Sequence, residues 1–559
     1  MRLLLLVHAF NSLAQRLYVE LAERGHELTI EFDVNDSVTR EAVDRFRPDV
    51  VLASFLKRAI PEDVWRRVPC LVVHPGPLGD RGPSALDWAV LEGPSKENGG
   101  RWGVTVLQAN AEFDAGDVWR SISFPMREAP KASLYRHEVT ENAVAAVLGA
   151  LDRLGQGGGP TPFDPADPQA FGKPRPAMRQ ADRAIDWTRD DTATVLRKIR
   201  SGDGVPGVRD EGISLFDAHP ESRLTGAPGA WIARWEGAVC RATVNGAVWI
   251  GHMKAPSTDP QNPSLKLPAT MVLPGAADLP EVQGDYRDLW YEEADGVGYL
   301  HFPFYNGAMG ARQCERLRTA LESALARDTR VLVLMGGEDF WSNGIHLNLI
   351  EAAASPADES WRTINAIDDV ARALISATGK VTVAALSGNA GAGGVFLALG
   401  ADFVWARTGV VLNPHYKGMG NLYGSEYWTY TLPRRAGAEN ARRVTEARLP
   451  MGTPEARRLG LVDAAFGTTV AEFRAELAER ARALAADPAL PALLADKRRR
   501  RADDEAAKPL EQYRAEELER MRFNFYGFDP SYHVARYNFV FKVPKSRTPL
   551  YLARHRRMG

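Results

Sequence analysis

Val381-Thr382-Val383-Ala384-Ala385-Leu386, an apolar run, empties into Ser387-Gly388-Asn389-Ala390-Gly391-Ala392-Gly393-Gly394. A strand followed by so many small residues lets a bound carbonyl come close to the main chain, because no side chain stands in its way. Two main-chain N–H groups aimed at one point then stabilise the enolate or tetrahedral oxyanion of a thioester. A second turn of the same character, Phe340-Trp341-Ser342-Asn343-Gly344-Ile345, comes after the apolar strand Val331-Leu332-Val333-Leu334. Glycine also serves plain turns, so either stretch alone says little. Gly344-Ile345 and Gly393-Gly394 are the positions where such paired donors belong.

Strand and helix alternate around these turns: Val297-Gly298-Tyr299-Leu300 reads as a strand and 361–377 as a helix. Past Val470 the composition turns helical until about Met521, and an aromatic tail begins at Phe523-Asn524-Phe525-Tyr526. Upstream, a Pro-rich linker over 255–280 separates this region from short alternating strands at 229–233 and 238–251. Before them a helix is expected to open at Asp186-Trp187 and run through Ile199-Arg200, after a Gly-, Pro- and Asp-dense linker at 155–175. The chain opens with an apolar strand, a loop from His8 to Ser12, an amphipathic helix, Gly25 and a further strand, the βαβ start of a doubly wound sheet. There is no internal repeat.

The chain of 559 residues exceeds one core, and its length suggests about three or four domains. A hydrophobic share of 45%, a charged share of 25% and a net charge of −2 give no field that would draw it to nucleic acid or an anionic membrane. The first apolar run is too short for a signal segment, and no stretch approaches the roughly 20 apolar residues of a membrane span. Three scattered cysteines, Cys70, Cys240 and Cys314, make no metal or redox spacing and fit a reducing cytoplasm. Lys497-Arg498-Arg499-Arg500-Arg501 lies in a helical stretch and reads as a solvated face, with contact to CoA phosphates or a partner as the alternative; Arg554 to Arg557 form a further basic cluster.

A second constellation lies near the amino terminus. Cys70-Leu71-Val72-Val73-His74 is a short apolar strand with His74 at its carboxyl end, where open α/β sheets bind ligands. Downstream stands Phe113-Asp114-Ala115-Gly116-Asp117. Formyl transfer needs an electrophilic carbon, an oxyanion donor and a proton relay to the leaving nitrogen. A histidine whose tautomer is fixed by a carboxylate suits that relay, which makes His74 and Asp114 candidates.

Residues 1–255 resemble the formyltetrahydrofolate-dependent formyltransferases through Pro48-Asp49-Val50-Val51, His74-Pro75, Arg81-Gly82-Pro83-Ser84, Gly103-Val104-Thr105 and Asp114-Ala115-Gly116-Asp117. The resemblance implies a catalytic Asn-His-Asp trio, of which His74 and Asp114 match, and a folate pocket lined by Leu56, Lys57, Arg58 and Ile60. Val72 stands where the family has its asparagine. Losing one oxyanion donor costs about 10²–10³ in rate, a loss that a thiol acceptor, the better nucleophile, tolerates more easily.

Residues 290–470 resemble the enoyl-CoA hydratase/isomerase (crotonase) superfamily through the two glycine turns and Leu432-Pro433-Arg434-Arg435-Ala436-Gly437. The resemblance implies an oxyanion hole from the N–H groups of Ile345 and Gly393, and CoA as a ligand. Phe396 and His415 occupy the places of the two hydratase glutamates, so hydration of an enoyl-CoA is not expected. Tyr416 and Glu426, with His415 third, are the candidate proton-handling groups; Lys417 is a further polar neighbour.

The two halves together resemble the HypX/HoxX type of hydrogenase-maturation proteins. That implies an α/β multidomain chain: a Rossmann-like formyltransferase domain at 1–170, a small OB-like β domain at 180–255, a linker at 256–285, a crotonase ββα-spiral domain at 286–470 and a helical extension at 471–559. It also implies formyl transfer from N10-formyl-tetrahydrofolate to CoA, then release of CO from formyl-CoA for a NiFe-hydrogenase, with the hydrogenase large subunit or other maturation proteins as partners. Two other readings stay open. One is a formyltransferase acting on a small amine with an unrelated CoA step; the other is a non-catalytic folate- and CoA-binding scaffold.

Overall fold

A computed structural model of the chain describes residues 1–95, 98–257 and 263–557. It forms two compact units, Met1–Tyr286 with Lys545–Gly559, and Arg287–Pro544. The first unit opens with β1 (Arg2–Val7), β2 (Glu27–Phe32), β3 (Val50–Phe55), β4 (Cys70–His74), β5 (Arg101–Gln108) and β6 (Val118–Pro125). Their order is β2-β1-β3-β4-β5-β6, with the first four parallel and the last two antiparallel. β1 is buried from Leu3 to Val7, which explains its unbroken apolar reading. Asn11 starts the helix Ser12–Glu23 by accepting a hydrogen bond from the Ala14 N–H. His74 is the last residue of β4 and so reaches the ligand-binding edge of the sheet.

The β segment of this unit is a six-stranded antiparallel sheet that includes Ile213–Glu221, Ala238–Ala242 and Ala247–Lys254. Its helix begins at Thr192, not at Asp186-Trp187 as expected. Asp191 caps it by accepting from the Thr194 N–H, whereas Asp186 closes its own turn by accepting from Thr188. Trp187 instead enters the core, with its indole N–H on Asp210. The expected linker at 256–285 is also partly built in: Lys266–Pro268 pairs with Ala247–Lys254, and Ala269 and Ala276 join the apolar core. Residues 258–262 of that linker, and the last two residues of the expected extension, lie outside the described residues.

The extension is not helical to its end. Residues 545–557 belong to the first unit, where the Ile30 N–H donates to the Leu552 carbonyl and His555 meets Glu31 at 3.0 Å. Thr548, Leu552 and His555 are thus held by hydrogen bonds to β2.

The second unit carries a six-stranded sheet, in the order Trp290–Ala294, Val297–His301, Val331–Met335, Val381–Leu386, Phe403–Arg407 and Ala464–Phe466. A smaller sheet of Phe340–Ser342, Asn389–Gly391, Val411–Asn413 and Met451–Gly452 lies at the ends of those strands in the chain path, as expected of a ββα spiral. The helix expected at 361–377 spans Pro356–Ile375, because Ser355 caps it and Pro356 suits its first turn. Four helices follow Val470, the first opened by a reciprocal Thr469–Glu472 cap. On the second of them Arg500 pairs with Asp496 on its own helix, while Lys497 reaches inward to Asp402 at 2.6 Å. No helix of the described residues is long and apolar enough to cross a membrane.

Candidate active sites

In the first unit His74 stands between two carboxylates. Its Nε2 lies 2.8 Å from Asp80 Oδ1, and its Nδ1 lies 3.4 Å from Asp114 Oδ1. His74 is 4% exposed and Asp80 3%, so water does little to screen them. Burial alone disfavours the imidazolium, but the hydrogen bonds and charges of Asp114 and Asp80 outweigh it and push the pKa up to about 9. Burial likewise works against the Asp114 carboxylate, yet His74, the Gly82 N–H and Arg81 hold it below its ordinary range. Such an arrangement can pass a proton between two carboxylates across one ring.

Local geometry explains the small residues here. A Cβ on Gly76 would stand 2.5 Å from both Asp80 Oδ1 and His74 Nε2. Asp114 itself adopts a left-handed conformation (φ +54°), steadied by the Gly82 N–H on its Oδ2 at 3.2 Å. The Thr105 hydroxyl and the Trp102 indole N–H hold the carbonyls of Gly76 and Pro75. A small cleft opens on both carboxylates and is lined also by Pro77, Arg81, Thr105 and Phe163.

Val72 shares the face of β4 with His74 and packs against the apolar cluster around Val51 and Cys70, so its position offers no donor. The expected folate-pocket residues separate. Leu56 is half-buried at the edge of that cluster and Ile60 lies within it. Lys57 and Arg58 are exposed; the Lys57 N–H donates to Asp33, and Arg58 pairs with Asp36.

In the second unit the two glycine turns converge. A Cβ on Gly344 would lie 3.3 Å from the Gly393 nitrogen, and one on Gly393 would lie 2.1 Å from Glu426 Oε1. Gly393 is the first residue of the helix Gly393–Leu399, so its N–H is among the donors a helix leaves unpaired at its start. Half-buried Ile345 pairs with Met309 in a short parallel ladder. The Tyr416 hydroxyl contacts both Glu426 Oε2 and, at 3.0 Å, the Ser425 carbonyl. A carbonyl only accepts, so both contacts are satisfied when the carboxyl O–H of Glu426 donates to Tyr416 and Tyr416 donates onward. Burial, then the nearby Asp368 charge, push the Glu426 pKa up to about 8. Phe396 stacks on Tyr416 with ring centres 5.1 Å apart and interplanar angle 20°.

Tyr416, Glu426 and Gly393 thus come together. His415 stands apart: its Nδ1 finds no hydrogen-bond partner among the described residues, and burial followed by the charge of Arg448 lowers its pKa to about 4. Lys417 is half-buried. Three groups escaped the sequence reading. Asp80 was legible as a lone acid in the turn His74-Pro75-Gly76-Pro77-Leu78-Gly79-Asp80; buried Asp368 and Glu517, behind the Glu426 turn, carry no local signal.

Comparison with known proteins covers both halves. Residues 296–522 match the enoyl-CoA hydratase/isomerase family, and residues 177–265 match the formyl transferase C-terminal domain. The hydrogenase maturation factor HoxX of Bradyrhizobium diazoefficiens is 60% identical, over 100% of this chain and 97% of its own length. A crystal structure of HypX from Aquifex aeolicus in complex with tetrahydrofolic acid is 48% identical, covers 100% of this chain and 99% of that one, and superposes with a TM-score of 0.94. Methionyl-tRNA formyltransferase of Bordetella bronchiseptica is 25% identical over 41% of this chain and 71% of its own.

Proposed function

The chain belongs to the HoxX/HypX family of hydrogenase maturation factors, and from that premise we propose that it makes carbon monoxide in two steps. The first moves a formyl group from N10-formyl-tetrahydrofolate to the thiol of CoA. Sulfur attacks the formyl carbon, the bond to N10 breaks, and the thiol proton ends on N10. The carboxylates on either side raise the His74 pKa to about 9, which keeps a proton at the ring for relay to N10 and places positive charge beside the reacting carbonyl, where Val72 offers no amide. Asp80 and Asp114 hold the ring and receive or return its protons.

The second step breaks the C–H and C–S bonds of formyl-CoA and forms an S–H bond, releasing CO without net oxidation or reduction. Formyl-CoA has no α-carbon, so a pair of hydratase glutamates would have nothing to do. The carbonyl oxygen sits at the N–H groups of Ile345 and Gly393, and the protonated Glu426–Tyr416 pair gives its proton to sulfur and is reloaded by the formyl proton. The placement of the Glu426 carboxyl against Gly393, bonded to Tyr416, carries this reading.

Purified protein given N10-formyl-tetrahydrofolate and CoA, with CO trapped on reduced haemoglobin, provides the test. CO is expected only when both substrates are present. Tetrahydrofolate without CO would favour a small-amine acceptor, and neither product would favour a scaffold. The product serves hydrogenase maturation, with the hydrogenase large subunit or another maturation protein as the receiving partner.

A further inference from the structure

Glu426 sits on a turn that ordinary backbone preferences oppose. Glu426 and Tyr427 are both left-handed, with φ of +59° and +58°, a conformation that costs a non-glycine residue of order 1 kcal/mol or more. Something must hold them. Asp368, on the helix Pro356–Ile375, accepts from the Glu426 N–H at 2.8 Å. Glu517, on the helix Leu510–Tyr526, accepts from the N–H groups of Tyr427 at 3.0 Å and Thr429 at 2.9 Å. The Ser425 hydroxyl lies 2.8 and 2.7 Å from the two Asp368 oxygens and 3.3 Å from Glu517 Oε2.

Three carboxyls therefore surround one turn, with Asp368 0%, Glu426 1% and Glu517 1% exposed. Ser425 brings a single hydroxyl proton to three carboxyl oxygens. The cationic group facing them, Arg514, stays 4.0 Å from Asp368 and bonds Asp369 instead at 2.6 Å. Arg372, farther out, is engaged by Glu511. Tyr416, Tyr423, Tyr427 and Cys314 also face the cluster, and burial pushes all four away from ionisation. So many buried carboxyls with so little compensation cannot all be ionised together, so the cluster retains protons at neutral pH.

We propose that Asp368 and Glu517 are positioning residues of the decarbonylation site: they clamp the strained 425–427 turn so that Glu426 faces the thioester cradle, and the negative charge held among these acids, chiefly on Asp368, keeps a proton on the Glu426–Tyr416 pair. This rests on the assignment of Glu426 and Tyr416 to CO release. The clamp sets both the direction of the carboxyl and the pH at which it changes form. Burial, then Asp368 and Glu517, raise Glu426 to about 8; burial, then Asp368, raise Glu517 to about 8; and burial raises Asp368 to about 6.

Asp368→Asn and Glu517→Gln test the proposal in the full-length chain, because each keeps an accepting oxygen and removes an ionisable carboxyl from a different helix. The pH profile of CO release from formyl-CoA should shift to lower pH in both variants, by about one pH unit or more in Asp368→Asn and by less in Glu517→Gln, whichever limb Glu426 controls. Folate deformylation should keep its wild-type profile. An unshifted CO profile in a folded variant would overturn the proposal.

Infrared titration supplies a readout independent of turnover. A protonated carboxyl band that is lost in Glu426→Gln should titrate near neutral pH in the wild type and at lower pH in the clamp variants. Wild-type protein that lacks such a band overturns the clamp even if neither variant folds. Wild-type protein that shows the band but releases no CO leaves the clamp standing and rejects the assignment of the site.

Discussion

Asp80→Asn removes one negative charge from His74 while leaving an oxygen to accept from Nε2, now at 2.8 Å. With both carboxylates in place, the imidazolium persists to about 9 against an ordinary 6.5. A raised native value means that the folded state binds the proton more tightly. The linked stability is thus fully present below pH 6.5 and is lost as pH rises through about 9. At pH 7 this proton contributes about 2.5 kcal/mol, since each pH unit of difference is worth about 1.4 kcal/mol. Removing one of two charged partners should lower the His74 value by about one pH unit or more. The variant should therefore be less stable by about 1.4 kcal/mol at neutral pH, with the gap narrowing as pH passes 9. Urea unfolding of both proteins across that window measures the gap, and tetrahydrofolate formation measures the consequence for transfer. The alkaline limb of transfer should fall at lower pH in the variant. If the two limbs coincide, or if the stability gap does not narrow above pH 9, the double-carboxylate account of His74 is wrong.

Glu426→Gln keeps the size of the side chain but not its acid–base function, so CO release should stop while N10-formyl-tetrahydrofolate is still deformylated; unchanged CO output would remove Glu426 from the mechanism. Val72→Asn restores an amide two residues before His74 and should raise formyl transfer to a small amine such as hydroxylamine. Because Val72 is half-buried in an apolar cluster, the same change should cost about 1–2 kcal/mol of stability, and an unaltered amine rate would show that the missing donor is not what limits the acceptor.

Much of the fold was legible because it rests on local patterns. Leu3 to Val7 is apolar in sequence and buried in structure, the glycines at 393 and 394 mark places where a Cβ would strike a neighbouring carboxyl or backbone, and Gly344 holds a left-handed conformation (φ +76°). Boundaries were less legible where polar side chains decided them. Asp186 and Asp191 are both fit to start a helix, and only the bond from the Thr194 N–H selects Asp191. The return of 545–557 to β2 depends on partners more than 500 positions away, such as Thr29 for His555 at a separation of 526, which no local pattern announces.

The departures from family pattern become intelligible in the same terms. Phe396, at the position expected from the resemblance to be that of a hydratase glutamate, lays its ring on Tyr416 and on the proposed roles serves to orient it. Gly424 permits that packing, since a Cβ there would come 2.0 Å from the Tyr416 ring. A carboxyl at 396 would meet the same buried setting that already holds Asp368, Glu426 and Glu517, and a fourth acid in it would raise every neighbour's pKa or expel one from the cluster. On the proposed roles, Phe396 and the Tyr416–Glu426 pair are coupled through that ring contact. Phe396→Glu should abolish CO release by disrupting the Glu426 turn, without restoring hydration of a crotonyl thioester; recovery of hydratase activity with CO release intact would refute that coupling.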